Sequence, residues 1–441
     1  MFWNLRYRVA GTLRSSLWVI PLAAVLLEQM VAWFVFRLDE RSSWGGLGLG
    51  PEGARAMAGA VISLTLSFLV FTFGSLLVAI QVASGQYTPR IIATTLLRDN
   101  VIRYTVGLQV FTLLFAVKAL DHTEDSVPQL VTFTTAILGL ICIASFLYLI
   151  DHAARLLRPV SLVRNVGESG LTVMRSVYPE QAGHFAPPPD SASFGKTGMK
   201  PVFHDHTSSM VLAVDVSRLI AEAERAGGII EIAPQVGDLV GSGEPLFYLH
   251  SGAVSIDDKT LRAAIAFGTE RTMEQDPLFA LRILVDIAIK ALSKAINDPT
   301  TAVLAIDQIQ RLLKSAGRRN LRTDFLAGPQ GHLRVILRTP DWEDFVHLAL
   351  SEIRYYGAEN IQVARRLRAM LMNLVDTLPG DRHPALQTEL KLLDHTIEKL
   401  YTMPEDLALA RMPDPQGLGG STGRRAPPWR QSLGTNTHTP P

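Results

Sequence analysis

The sequence predicts a membrane α-helical bundle of four transmembrane helices, followed by a cytoplasmic α+β region with a small β unit and a helical C-terminal part. Three observations carry this prediction. The 441 residues have a mean hydropathy of +0.20 with only 19% charged residues, which is apolar for a water-soluble protein. Almost all long apolar runs fall between residues 15 and 150. Residues 151–411 carry an ordinary globular mixture with charges of both signs. The expected organisation is a transmembrane domain over 1–155, a linker helix and loop over 156–207, a cytoplasmic domain over 208–405 and a disordered tail over 406–441.

The apolar runs at 15–36, 56–83, 101–120 and 127–150 are each long enough to cross about 30 Å of hydrocarbon at about 1.5 Å per residue. The first follows Arg6, Arg8 and Arg14 but is too long for a signal peptide and lacks a small-x-small exit, so it is read as retained. The lipid bilayer is therefore the first partner. Cations mark one side: Arg6, Arg8 and Arg14 before the first span, Arg90, Arg98 and Arg103 between the second and third, and Arg155, Arg158 and Arg164 after the fourth. The loop at 37–55 is balanced, and the turn after Lys118 is acidic with Asp121, Glu124 and Asp125. The positive-inside rule then makes both termini cytoplasmic.

Polar residues inside the spans are the first functional candidates. Ala58, Gly59, Ser63, Ser67, Gly74 and Ser75 recur at roughly helical spacing, which is a close-packing face for another helix. The same span offers a polar path through Ser63, Ser67 and Gln81, with Thr65, Thr72 and Ser75 alongside, although hydroxyls also bond to their own helix carbonyls. Glu28 is ionisable within the first span; it either pairs or faces water, or it snorkels to the outer interface eight residues before Phe36. Beyond Gln86, Thr88 and Pro89 read as the cap and first turn of a short helix, and Tyr87, Arg90 and Arg98 suit contact with headgroups at the inner interface.

The run QVASGQYTPR at 81–90, with Asp99 beyond it, is followed by RTMEQDPLFALRILVDIAIKALSKAINDPTTA at 271–302 and YGAENIQVARRLRAML at 356–371. Together these strings resemble a bacterial family of predicted membrane proteins, domain of unknown function 2254, over about residues 1–405. The resemblance implies the same plan of four spans and a soluble region, in the bacterial inner membrane, and brings no activity, ligand or catalytic residue. The chain departs from the family pattern at Ser293-Lys294-Ala295, where Ser-Pro-Gly often stands.

Residues 151–178 read as a basic helix continuing from the fourth span, and Pro187-Pro188-Pro189 opens a loop to about 207. His184, His204 and His206 lie in that polar loop without a scaffold, so no metal is expected there. Next come a strand from Met210, a helix over 217–226, an alternating stretch at 229–234, and two strands within 236–249 joined by a glycine-rich turn. This spacing is similar to a biotinyl-type half-motif, but no Met-Lys pair follows, so a structural β unit is expected. Residues 258–268 read as strand or helix and 277–294 as a helix; Asp298 caps the helix opened by Pro299, as Asp276 does before Pro277. Asp286, Asn297 and Asp298 form the alternative ligand reading of this stretch. A strand at 331–337 and helices at 342–355, 359–377 and 385–400 complete the region.

Several classes are excluded or disfavoured. The net charge of +1 gives no argument for nucleic acid. The single cysteine, Cys142, lies in an apolar run, which excludes an intramolecular disulfide and a cysteine metal site. No phosphate loop, zinc helix or nucleophile elbow is present, so neither a cofactor nor enzymatic activity is expected. Two functions remain: an oligomeric channel or transport protein with a cytoplasmic regulatory domain, or a membrane-anchored sensor or scaffold. Four spans exceed what an anchor needs, and a four-helix bundle can pack shut, so a pore would call for a homo-oligomer.

Overall fold

The computed structural model describes residues 16, 18–41, 48–86, 99–123, 127–156, 158–179, 199–321 and 324–420. The chain divides into two compact units, Met1–Asn165 and Val166–Pro441.

The first unit holds α1 (Val19–Arg41), α2 (Pro51–Gln86), α3 (Asn100–Asp121) and α4 (Gln129–Leu156), each long and apolar enough to cross a membrane. They are helical because apolar, non-breaking residues fill more than four turns, and in hydrocarbon only an internally bonded backbone is tolerated. Half of the most apolar window of α3 is buried, against 11%, 17% and 28% for α1, α2 and α4. The third span is thus the centre of the bundle, packed against each of the other three. Gly107 permits this: a Cβ there would stand 2.9 Å from Cγ2 of Ile20 in α1. Phe68 of α2 stacks on Phe146 of α4 with ring centroids 4.0 Å apart. Asp99 caps α3 by accepting from the backbone N–H groups of Val101 and Ile102, which fixes where the span begins.

Past Leu156 the expected continuous helix is broken. Pro159 cannot continue the α4 hydrogen-bond ladder and stands at the first position of a separate helix, α5 (Pro159–Val177).

The second unit begins with two sheets. Its strands and short helices are β1 (Lys200–Phe203), β2 (Ser209–Val214), α6 (Val216–Ala226), β3 (Gly228–Ile232), β4 (Leu239–Val240), β5 (Pro245–Ser251), α7 (Asp258–Arg262) and β6 (Ile265–Gly268). Together with β7 (Phe325–Ala327) and β8 (Leu333–Leu337) they form a five-stranded sheet in the order β1-β5-β3-β8-β7 and a three-stranded sheet in the order β4-β2-β6. Only β3 and β8 run parallel. The strands on either side of the glycine-rich turn are present, but β4 joins one sheet and β5 the other. Gly227 ends α6 at φ +64°, a left-handed conformation that suits glycine. Val202, Val211, Leu219, Ile230, Phe247, Leu249 and Ile265 fill the shared core. Because β1 is paired with β5, the expected linker to residue 207 is corrected: residues 200–203 belong to the folded unit. The stretch at 258–268 is both helix and strand.

The helical part comprises α8 (Pro277–Ala291), α9 (Pro299–Gly317), α10 (Trp342–Gly357), α11 (Ile361–Thr377), α12 (His383–Leu400) and α13 (Pro404–Ala410). Asp276, Asp298, Asp341 and Asn360 cap four of these, each through its side chain. The tail expected from residue 406 is corrected up to residue 420. The buried Arg365 guanidinium donates to the carbonyls of Met412 at 3.0 Å, Gly419 at 3.0 Å and Gly420 at 2.6 Å, while the Asp414 carboxylate accepts from the N–H groups of Gly417 and Gly419. Low apolar content is offset here by hydrogen bonds to a single buried arginine.

Candidate polar column in the membrane unit

Glu28 is buried, and its Oε2 pairs with Lys118 Nζ of α3 at 3.1 Å; the same ammonium donates to Gln29 Oε1 at 2.7 Å. Of the readings of Glu28, this is the pairing one: a cation on the adjacent helix makes burial tolerable. At the other end of α3, Asp99 Oδ2 meets His152 Nε2 of α4 at 2.9 Å. From Asp99 to Lys118 the helix rises about 28 Å, close to the thickness of the hydrocarbon core.

Between these two pairs α3 turns Arg103, Thr105, Gln109 and Thr112 into the bundle, all buried. The spacing 105, 109, 112 keeps the last three on one face, with Arg103 buried on the opposite side of the helix. Thr65 of α2 and Thr112 of α3 reach toward the Cys142 thiol of α4, and Thr72 of α2 lies buried two turns from Thr65. The Thr72 hydroxyl and both polar atoms of the Gln109 amide are buried without a hydrogen-bond partner among the described residues, while the Thr65 and Thr112 hydroxyls have no partner there other than the Cys142 thiol. This is not forced on a threonine in a helix. Thr132, Thr134 and Thr135 of α4 each donate to the carbonyl four residues earlier, at 2.8, 2.7 and 2.9 Å. Each unmade bond costs about 1–3 kcal/mol. Phe115 and Ala116, both fully buried, interrupt the column between Thr112 and the Glu28–Lys118 pair.

The sequence-derived candidates of α2 fall elsewhere. Ser63, Ser67 and Gln81 are on the outward surface of the chain, and Ser67 Oγ donates to the Ser63 carbonyl at 2.8 Å. Glu28 is therefore not brought together with them. Tyr87, Arg90 and Arg98, with the Thr88–Pro89 cap, lie outside the described residues, as does His184. The column residues Gln109 and Thr112 were not singled out in the sequence, where Gln109 in a strongly apolar run was the available signal; Cys142 was noted only as the single cysteine.

In the second unit Asp298 accepts from Thr301 N–H at 3.1 Å, which is the cap reading, and Asn297 turns the chain at φ +47°. Asp286 is engaged apart from them. Arg282 Nε donates to it at 2.7 Å while the same guanidinium donates to Glu352 of α10 at 3.1 Å. Arg282 and Glu352 border a cleft of ≈ 470 Å³ lined also by Arg271, Arg338, Asp344 and His347. Burial pushes the Asp276 carboxyl up from its ordinary value, opposed by the Arg271 guanidinium beside it. Hydrogen bonding from Arg282 holds the Glu352 carboxyl down. His204 is buried with Nε2 at 3.0 Å from the Thr207 carbonyl oxygen, and no cluster suited to a metal occurs among the described residues.

Four apolar spans joined to a mixed α and β unit define a polytopic integral membrane protein. The family model described as Predicted membrane protein (DUF2254) matches residues 14–373, and the chain belongs to that family. It is 24% identical over 432 residues to uncharacterized proteins of Mycobacterium tuberculosis and of Mycobacterium bovis, covering 92% of this chain and 81% of each relative. No solved structure matches the chain.

Proposed function

We propose that the protein transports a small cation, a proton or a hydrated monovalent ion, across the bacterial inner membrane along the buried face of α3. The observation that supports this reading most is the set of buried polar atoms at Thr72 and Gln109 that lack a hydrogen-bond partner among the described residues, beside Thr65 and Thr112 at the Cys142 thiol, between the Asp99–His152 and Glu28–Lys118 contacts about a membrane thickness apart. A packing face alone would let these hydroxyls bond to their own helices, as those of α4 do. A water file or an ion in transit would supply the missing partners. Phe115 is the hydrophobic constriction of this path, closed until the spans shift. The second unit is regulatory, and its termini are cytoplasmic. The protein acts as a homo-oligomer, in which the outward small-residue stripe of α2 packs copies together.

The test is proton and K⁺ flux in liposomes reconstituted with wild type, Gln109→Leu, Phe115→Ala and Ser67→Leu. Gln109→Leu is expected to abolish flux, Phe115→Ala to raise it, and Ser67→Leu to leave it unchanged. Loss with Ser67→Leu alone would move the path to the surface between copies. Absence of flux from wild type and from Phe115→Ala would end the transport reading in favour of a membrane-anchored sensor, for which the charged cleft at Arg282 is the supporting observation.

A further inference from the structure

A second pocket of the soluble unit, separate from the Arg282 cleft, encloses ≈ 550 Å³, within the range of small-ligand sites. Its lining includes Arg175 of α5 and Arg311, Lys314, Arg318 and Arg319 at the end of α9, and holds no carboxylate among the described residues. On α9 the spacing 311, 314, 318 places these cations on one helix face, where like charges repel by a few tenths of a kcal/mol per pair. The C-terminal dipole of α9 offsets part of that repulsion for the last turn only.

Elsewhere in this unit arginines are neutralised by carboxylates: Arg334 by Glu224, Arg354 by Glu389, Arg366 by Asp307 and Arg411 by Glu398. At this pocket the pattern differs. Among the described residues Arg311 alone has such a partner, Glu168 Oε1 at 2.8 Å. Arg318 is held by the Thr377 carbonyl at 3.4 Å, and Arg319 by the Tyr178 and Pro179 carbonyls, which orient a guanidinium without cancelling its charge. Arg175 and Lys314 make no hydrogen bond or ion pair among the described residues. Two further observations fix the walls: a Cβ at Gly170 would stand 2.8 Å from Ala280 Cβ and 3.0 Å from Leu312 Cδ2, so α5 lies directly against α8 and α9.

We infer that this pocket binds a soluble anion bearing two or more phosphate groups, of the nucleoside-polyphosphate or inorganic-polyphosphate kind. Planar guanidinium groups recognise phosphate oxygens in pairs, and a lysine adds a mobile point charge. From 311 to 318 the cations extend over about 10 Å of helix, a span that calls for more than one phosphate. The ligand would bridge α5, the first helix beyond the last span, to the body of the soluble unit.

The test is calorimetric titration of the full-length protein in detergent with sodium tripolyphosphate, and separately with dioctanoyl phosphatidylglycerol, for wild type and an Arg175→Gln/Lys314→Gln variant. These two side chains hold nothing else in place, so the variant should melt as wild type does. Tripolyphosphate is expected to bind wild type, and the variant to weaken it by about tenfold or more, the usual effect of losing charged hydrogen bonds. Absence of tripolyphosphate binding, or equal binding by both proteins, would overturn the assignment. Tighter binding of the lipid than of tripolyphosphate, lost in the same variant, would give the pocket to a lipid headgroup and overturn a soluble ligand. A lower melting point of the variant would require the same comparison with Lys314→Gln alone, read by the same criteria.

Discussion

At the scale of single residues, the most consequential contact joins Glu28 to Lys118 across 90 positions of sequence. The sequence made Glu28 conspicuous, because a carboxylate in an apolar run is costly; it could not name the partner, because pairing between spans depends on which faces meet. Replacing one member of a buried pair strands the other. Lys118→Met should therefore destabilise the protein by about 3–5 kcal/mol, whereas Glu28→Gln/Lys118→Met should recover most of that loss. Thermal melting in detergent measures both, and a double variant no more stable than Lys118→Met would show that the pair does not carry the effect. Local signals were more legible. Asp298 was identifiable as a cap from Asp-Pro-Thr-Thr alone, since the side chain and the N–H it satisfies are three residues apart.

At the scale of elements, the four spans and most soluble helices were legible because length and apolar periodicity are properties of the chain itself. Which face of a span turns inward was not. α2 is apolar almost all round, and its buried face holds Ala58 with Thr65 and Thr72, while Ser63, Ser67, Gly74 and Ser75 of the small-residue set face outward. The short β1 and the segment after Ala410 were missed for a different reason. Their stability comes from a partner strand and from Arg365, neither of which is near in sequence. Between α8 and α10 the tie is Arg282, which bonds both Asp286 and Glu352. Arg282 holds the Glu352 carboxyl below its ordinary 4.5, so its contribution is present above that pH and is lost as pH falls through the lowered value. The side chain is 45% exposed, and the contribution should stay below about 1 kcal/mol. The melting point of wild type should exceed that of Glu352→Gln at neutral pH and converge with it in acid; a difference that grows in acid would reject this account.

At the scale of the whole molecule, orientation decides which solution each end of the column meets. An even number of crossings returns the chain at α5 to the side on which α1 began, so both halves of the charge argument must agree. They do: the positive-inside rule assigns the arginines before α1, between α2 and α3, and after α4 to one side, and acidic residues follow α3. The positive-inside rule thus predicts that α3 runs outward, with Asp99–His152 at the cytoplasmic end of the column and Glu28–Lys118 at the outer end. Alkaline phosphatase fused after residue 420 should be inactive in a bacterial host, and a fluorescent protein at the same place bright. The same enzyme fused in the turn after Asp121 should be active. Activity at 420 with none at 121 would invert the bundle, leaving the column intact but exchanging its inner and outer ion pairs, and would place the polyphosphate pocket out of reach of cytoplasmic anions.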